Sequence, residues 1–144
     1  MRIIEYSRSD NLYLVVFNLR FQLLSQKKIN ALKRASILVT SGNHILVLAD
    51  KYQMGIIISE LLEENIVLMY PNVTVFKIVF ELTALRESGI LYELFDRIGE
   101  IPILGFFTLG NYGYIVVRHK DAEKVSEALA SLTERTPRPC SRAF

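Results

Sequence analysis

A lone cysteine, Cys140, rules out an intrachain disulfide and any metal centre built from clustered thiolates. Histidine is nearly as scarce. His44 and His119 stand at matching places near the ends of two expected strands, and neither has a second His, Cys or carboxylate at ligand spacing, so no metal is expected. No apolar run approaches the roughly 18–20 residues of a membrane span, and the opening MRIIEYSRSD lacks the long apolar stretch of a signal peptide, which makes the cytoplasm the default location. The net charge is only +2, and much of it lies in the tail TERTPRPCSRAF, so charge gives no case for nucleic acid. Phosphate-loop and dinucleotide fingerprints are missing, and no nucleophile sits in a Gly-flanked elbow. These absences point away from an enzyme and from a bound cofactor.

What the chain has is apolar periodicity. With 51% hydrophobic residues in 144, it can form one compact domain or two small ones sharing a core, with enough left over to predict a subunit interface. Leu12 to Leu19 reads as a strand and Phe21 to Ala35 as a weak helix. Ser36 to Thr40 and His44 to Ala49 read as a hairpin around Ser41-Gly42-Asn43. Gln53 to Glu64 places Met54, Ile57, Ile58, Leu61 and Leu62 on one helical face, with Asp50 as its cap. Ile66 to Tyr70 reads as a short strand closed by Pro71-Asn72.

From Val73 the same order restarts: a strand to Leu82, a helix from Gly89 to Gly99, strands Ile101–Leu109 and Tyr112–Arg118, and a helix from Asp121 to Leu132. In ESGILYELFDRI, residues Ile90, Leu91, Leu94, Phe95 and Ile98 recur with the 3.6-residue period of a helix buried on one side. YLVVFNL stands to VFKIVFEL as ILVLADKYQMGIIISELL stands to YIVVRHKDAEKVSEALASL, giving a tandem repeat of about 65 residues. Each copy reads β-α-β-β-α. The expected fold class is α+β, ferredoxin-like (βαββαβ), with antiparallel sheets and helices on one face. Ile66–Tyr70 supplies a fourth strand to the first copy, and Arg2–Tyr6 is the segment able to supply one to the second, which would insert the first copy within the second.

The strand VFKIVFEL, the Gly89-Ile90-Leu91 helix start, Leu94-Phe95, IPILGFF and the hairpin Leu109-Gly110-Asn111-Tyr112 resemble an ACT domain, the amino-acid-binding regulatory module. The tandem ACT repeats are most similar to the paired ACT regulatory region of aspartokinases. The likeness is close over residues 73–132 and faint over 12–70, where the Gly turn is missing and the copy reads as scaffold. It implies a degenerate unit at 7–70, a second unit at 71–135 with 1–6 adding a strand, and a flexible tail at 136–144. Without a kinase segment before the pair, a regulated activity would belong to another chain.

The resemblance also implies a ligand site formed by Thr83, Arg86, Glu87, Ser88, Gly89, Ile90, Ile101 and Ile103, that is, the turn, the helix start and the following strand's backbone. A helix start offers unpaired N–H groups and a positive dipole end to a carboxylate. Gly89 serves either ligand contact or the tight turn alone, and Ser88 either touches the ligand or caps the helix. Arg86 and Glu87 form either a clamp for carboxylate and amine or a solvated pair. The implied partners are a small amino acid or related metabolite, a second copy in a homodimer, and a partner enzyme or regulator, with no membrane. The alternatives are a ligand-free assembly module and an RNA-binding domain. RNA enters through Asn111-Tyr112-Gly113-Tyr114-Ile115, which partly copies an aromatic RNA-binding strand but has Gly110 and Val117 where a basic and an aromatic residue belong.

Overall fold

The computed structural model describes residues 3–81 and 90–134. Six strands and four α-helices follow in the order β1 (Ile3–Asn18), α1 (Gln26–Leu32), β2 (Ile37–Ser41), β3 (His44–Asp50), α2 (Lys51–Leu61), β4 (Ile66–Phe80), α3 (Ile90–Ile98), β5 (Gly105–Leu109), β6 (Tyr112–Arg118) and α4 (Ala122–Glu134). The chain divides into two compact units, Asp10–Val73 and Met1–Ser9 with Thr74–Phe144. The first is inserted in the sequence of the second, so β1 and β4 each pass from one unit into the other. Asn11 and Asn72, next to the two crossings, take positive φ of 60° and 55°, a conformation asparagine tolerates better than most side chains.

In the inserted unit the strand order is β2-β3-β1-β4. β1 and β3 pair antiparallel from Leu12↔Asp50 to Asn18↔His44, and β2 and β3 from Ile37↔Leu48 to Ser41↔His44. Alternation along the strands sends Val15, Phe17, Ile45, Val47 and Ala49 to one face, where they meet Ala31 and Leu32 of α1 and Met54, Ile57 and Leu61 of α2. Asp50 Oδ1 accepts a 2.8 Å hydrogen bond from the Gln53 N–H and starts α2. Leu62 does not continue the helix face as its spacing predicts. It takes φ 80° as the C-cap and is exposed, while the Asn65 side-chain amide donates to the Leu61 carbonyl.

The split unit has the order β1-β4-β6-β5. Phe76, Ile78 and Phe80 of β4, Ile115 and Val117 of β6 and Ile3 of β1 pack on Leu94 and Ile98 of α3 and on Val125, Leu129 and Leu132 of α4. The segment Ile3–Ser9 is tied to this unit by the Arg8–Glu123 ion pair at 3.1 Å, the Arg8 guanidinium 5.7 Å from the Phe76 ring centre, and the Tyr6 hydroxyl donating to the Ser126 carbonyl at 3.4 Å. Both units thus have the antiparallel ferredoxin-like plan with two helices on one sheet face. In each, a two-residue Gly-Asn loop joins the hairpin, with positive φ at Gly42 and Gly110 only, the pattern of a type II′ turn.

Several boundaries differ from the sequence expectation: β1 is one strand from Ile3 to Asn18 rather than two segments, and α2 spans Lys51–Leu61 rather than Gln53–Glu64. β4 is unbroken through Pro71-Asn72, because the positive φ of Asn72 kinks the strand without ending it. The segment Phe21–Ala35 forms a 3₁₀ turn at Phe21–Leu23 and then α1, since Leu24 is extended and Ser25 caps a fresh start by accepting from the Lys28 N–H at 3.4 Å. β5 begins at Gly105 rather than Ile101; Pro102 has no N–H to give a ladder, and Leu104 N–H donates to the Val116 carbonyl at the strand's threshold.

Candidate functional site

Of the residues implied as a ligand site, Thr83, Arg86, Glu87, Ser88 and Gly89 lie outside the described residues. Ile90 is the first residue of α3. The side chains of Ile101 and Ile103 pack, partly buried, against the core of the split unit, which leaves their backbone for any ligand contact.

The ends of the elements determine which of these residues can meet. Phe80 N–H donates to the Asn111 carbonyl at 2.9 Å, and the Asn111 side chain returns a 3.1 Å bond to the Phe80 carbonyl, so β4 leaves the sheet beside the β5–β6 turn. Leu104 and Gly105 lie instead beside Val116. The span from Tyr112 to Val116 separates these ends by about 14 Å at the usual strand rise. Within one unit, then, the start of the β4–α3 connection and the backbone of Ile101–Ile103 stand at opposite ends of the sheet.

At the Ile101 end, α3 stops at Gly99, whose φ of +74° suits glycine, with its N–H bonded to the Phe95 carbonyl at 3.0 Å. The chain then runs through Glu100, Ile101 and Pro102. Opposite it, β6 gives way to a 3₁₀ turn, His119–Asp121, and α4 follows directly. Ile98, Glu100, Ile101, Pro102, Asp121 and Lys124 line a cavity of about 270 Å³ between these two segments. Asp121 Oδ2 is buried and has no hydrogen-bond donor. An acceptor left in that state costs about 1–3 kcal/mol. The sequence marks Asp121 only as the start of a helix, and nothing in its neighbourhood along the chain signals the cavity.

A second hollow of about 240 Å³ is lined by Glu5, Tyr6, Ser7, Lys77, Val79 and Tyr112. The Lys77 ammonium sits 4.4 Å from the Tyr112 ring centre, and Tyr114 stacks on Phe107 at 5.2 Å. Both tyrosines of the expected aromatic strand therefore already have a partner on one ring face. His119 Nδ1 lies 3.3 Å from the hydroxyl of buried Thr74. Among the described residues no three His, Cys, Asp or Glu side chains converge as a metal site. No helix among them is long and apolar enough to cross a membrane.

No protein-family model and no curated protein sequence matches the chain. Solved structures do. A putative C-terminal regulatory domain of aspartate kinase from Porphyromonas gingivalis W83 superposes with a TM-score of 0.64 at 14% identity, covering 88% of this chain and 94% of that one. The regulatory subunit of aspartate kinase from Thermus flavus gives 0.70 at 10% identity, covering 91% and 98%. Escherichia coli aspartokinase III, solved with lysine and aspartate, gives 0.64 at 13% identity, covering 91% of this chain but 33% of the kinase. The chain thus spans about a third of a whole kinase and nearly all of the separate regulatory pieces. At these identities the likeness is one of architecture: the chain has the paired, ACT-type ferredoxin-like fold of aspartate kinase regulatory domains.

Proposed function

We propose that this chain is a non-catalytic regulatory module that binds a small amino acid or related metabolite where two ACT-like units meet, and that occupancy changes the state of its own oligomer or of a partner enzyme. The observation that carries the proposal is the extent of the structural match. It takes in nearly the whole of regulatory domains and subunits and a third of a kinase that was solved with two amino acids. Residues 71–135 act as the sensing unit and residues 7–70 as its scaffold, with Arg86 and Glu87 as the carboxylate and amine clamp. Two copies form a dimer. Ligand held across the junction favours one arrangement of the units and thereby shifts the population.

A thermal-shift screen against the common amino acids tests this. A ligand that binds only the folded state at a hundred times its Kd adds about 2.7 kcal/mol, a readily measured rise in Tm. A specific observation favours one second reading, a ligand-free assembly module: Val67, Leu68 and Met69 of β4 are consecutive, apolar and exposed. If no amino acid shifts Tm at millimolar concentration while Leu68→Lys turns an oligomer into a monomer in sedimentation, assembly replaces sensing as the function.

A further inference from the structure

We infer that the outer face of α2 is a contact surface for a second copy of this chain, the two α2 helices packing antiparallel across a two-fold axis. The inference goes beyond the sensing function proposed above; it takes from that reading only the dimer, and it gives the dimer a surface. The stretch KYQMGIIISE has no charge between Lys51 and Glu60. Met54, Ile57 and Leu61 are buried with the sheet residues of the inserted unit, and the helical period puts Tyr52, Gly55, Ile56 and Ser59 on the opposite side. Tyr52 is 73% exposed, so the chain itself does not cover this side. The matching helix of the split unit, α4, is different: its exposed Glu123, Lys124 and Glu127 make an ordinary wet face. A helix apolar on both sides belongs between two partners, and α2 has one.

The details of the face say what the other partner is. Gly55 stands in mid-helix, where glycine is less stable than alanine, yet a Cβ there would meet nothing within 4 Å. No neighbour inside the chain requires the glycine; a second backbone passing close outside would. The Ser59 hydroxyl donates to its own Ile56 carbonyl at 2.9 Å, so covering it strands no donor. The charges supply the direction. Lys51 opens α2, Glu63 and Glu64 follow its end, and among the described residues none of the three has an ion-pair partner. Each sits against its own helix dipole, which favours an acid at the start and a base at the end. Asp50, at the same start, is turned onto the Gln53 N–H as the cap, which leaves Lys51 as the free charge. A second α2 running antiparallel inverts the assignment, because each Lys51 then lies beside the other copy's Glu63 and Glu64 and its negative dipole end. A parallel copy would set like against like. The antiparallel match is symmetric about position 57, with Tyr52 against Leu62, itself 44% exposed, and Gly55 against Ser59, as a two-fold axis requires.

The experiment is sedimentation of the full chain across the micromolar range, for the wild type, Gly55→Gln, Lys51→Glu, and Lys51→Glu combined with Glu63→Lys and Glu64→Lys. The wild type should be a dimer in equilibrium with monomer, and added salt should loosen it. Gly55→Gln should weaken the dimer about 10- to 100-fold by filling the close approach. It should hold or raise Tm where both proteins are monomers, because a good helix former replaces glycine in open space. Lys51→Glu should weaken the dimer about 3- to 30-fold over its two symmetric copies, again without lowering the monomer's Tm, since an acid suits the helix start. The triple variant should recover most of the wild-type association. Effects of opposite sign on the dimer and on the monomer separate a contact surface from a structural role. If the wild type dimerises and neither Gly55→Gln nor Lys51→Glu weakens it, the α2 surface is wrong and the dimer of the proposed function forms through another face. If Lys51→Glu weakens the dimer but the triple variant does not recover it, the antiparallel arrangement is wrong. If the wild type stays monomeric throughout, the surface and the dimer both fall, and the amino-acid thermal shift alone decides the sensing function.

Discussion

Gly113 is a demanding position in the split unit. A Cβ built there would lie 2.8 Å from Phe80 Cε2 and 3.5 Å from Cζ, against an ordinary carbon–carbon separation of about 3.5–4.0 Å. The Phe80 ring is fully buried, and its backbone is pinned on both sides by the two hydrogen bonds to Asn111. The ring can yield only by repacking against its core neighbours. Overpacking of this kind costs about 1–3 kcal/mol, and alanine's advantage over glycine inside a strand returns about 0.5–1 kcal/mol. Gly113→Ala should therefore destabilise by roughly 0.5–2 kcal/mol, a drop of about 2–8 °C in Tm, as read by urea and thermal unfolding. Phe80→Leu shortens the obstructing side chain. In the double variant the clash term should vanish, so the two single losses should exceed the combined loss by about 1 kcal/mol. A stabilising Gly113→Ala, or strict additivity in the cycle, would refute the close approach.

Other substitutions probe the remaining supports. Asp50→Ala removes the α2 cap and should cost about 1 kcal/mol in denaturant unfolding, whereas Asp50→Ser should recover most of it. Leu94→Ala, at a fully buried site between α3 and the sheet, should cost about 2–5 kcal/mol and expose apolar surface to a dye such as ANS. Asn72→Val forces a β-branched residue into φ 55° and should lower stability by about 1–2 kcal/mol, while Asn72→Gly should be close to neutral by the same measurement.

The parts of the fold that could be read from the sequence are those governed by local periodicity. Leu94 and Ile98 fall on the buried face that the 3.6-residue spacing predicts, Phe76, Ile78 and Phe80 share the helix-covered side, and Asp50 caps the helix it precedes. Pro71-Asn72 misleads because the same dipeptide serves a turn or a kink in a continuing strand, and only the pairing of the flanking residues decides between them. The Phe21–Ala35 pattern hides its interruption for a similar reason, since Ser25 is an unremarkable polar residue until its hydroxyl is seen on the Lys28 N–H. The cavity was invisible because its two walls are separated along the chain and are brought together by the hairpin register that sets Gly105 against Val116. Nothing in the spacing of Ile101 and Asp121 reports that register.

The passage of β1 through both units has a consequence for synthesis. Residues 10–73 form a contiguous unit whose elements leave the ribosome in order. Ile3–Ser9 emerges ahead of that unit but finds its own neighbours only after Phe80 has been made, roughly 4–14 s later at about 5–20 residues per second. Until then it is a nascent strand without a sheet. A pause in translation within that window would lengthen its exposure and favour capture by a chaperone or by another nascent copy, a hazard confined to Ile3–Ser9.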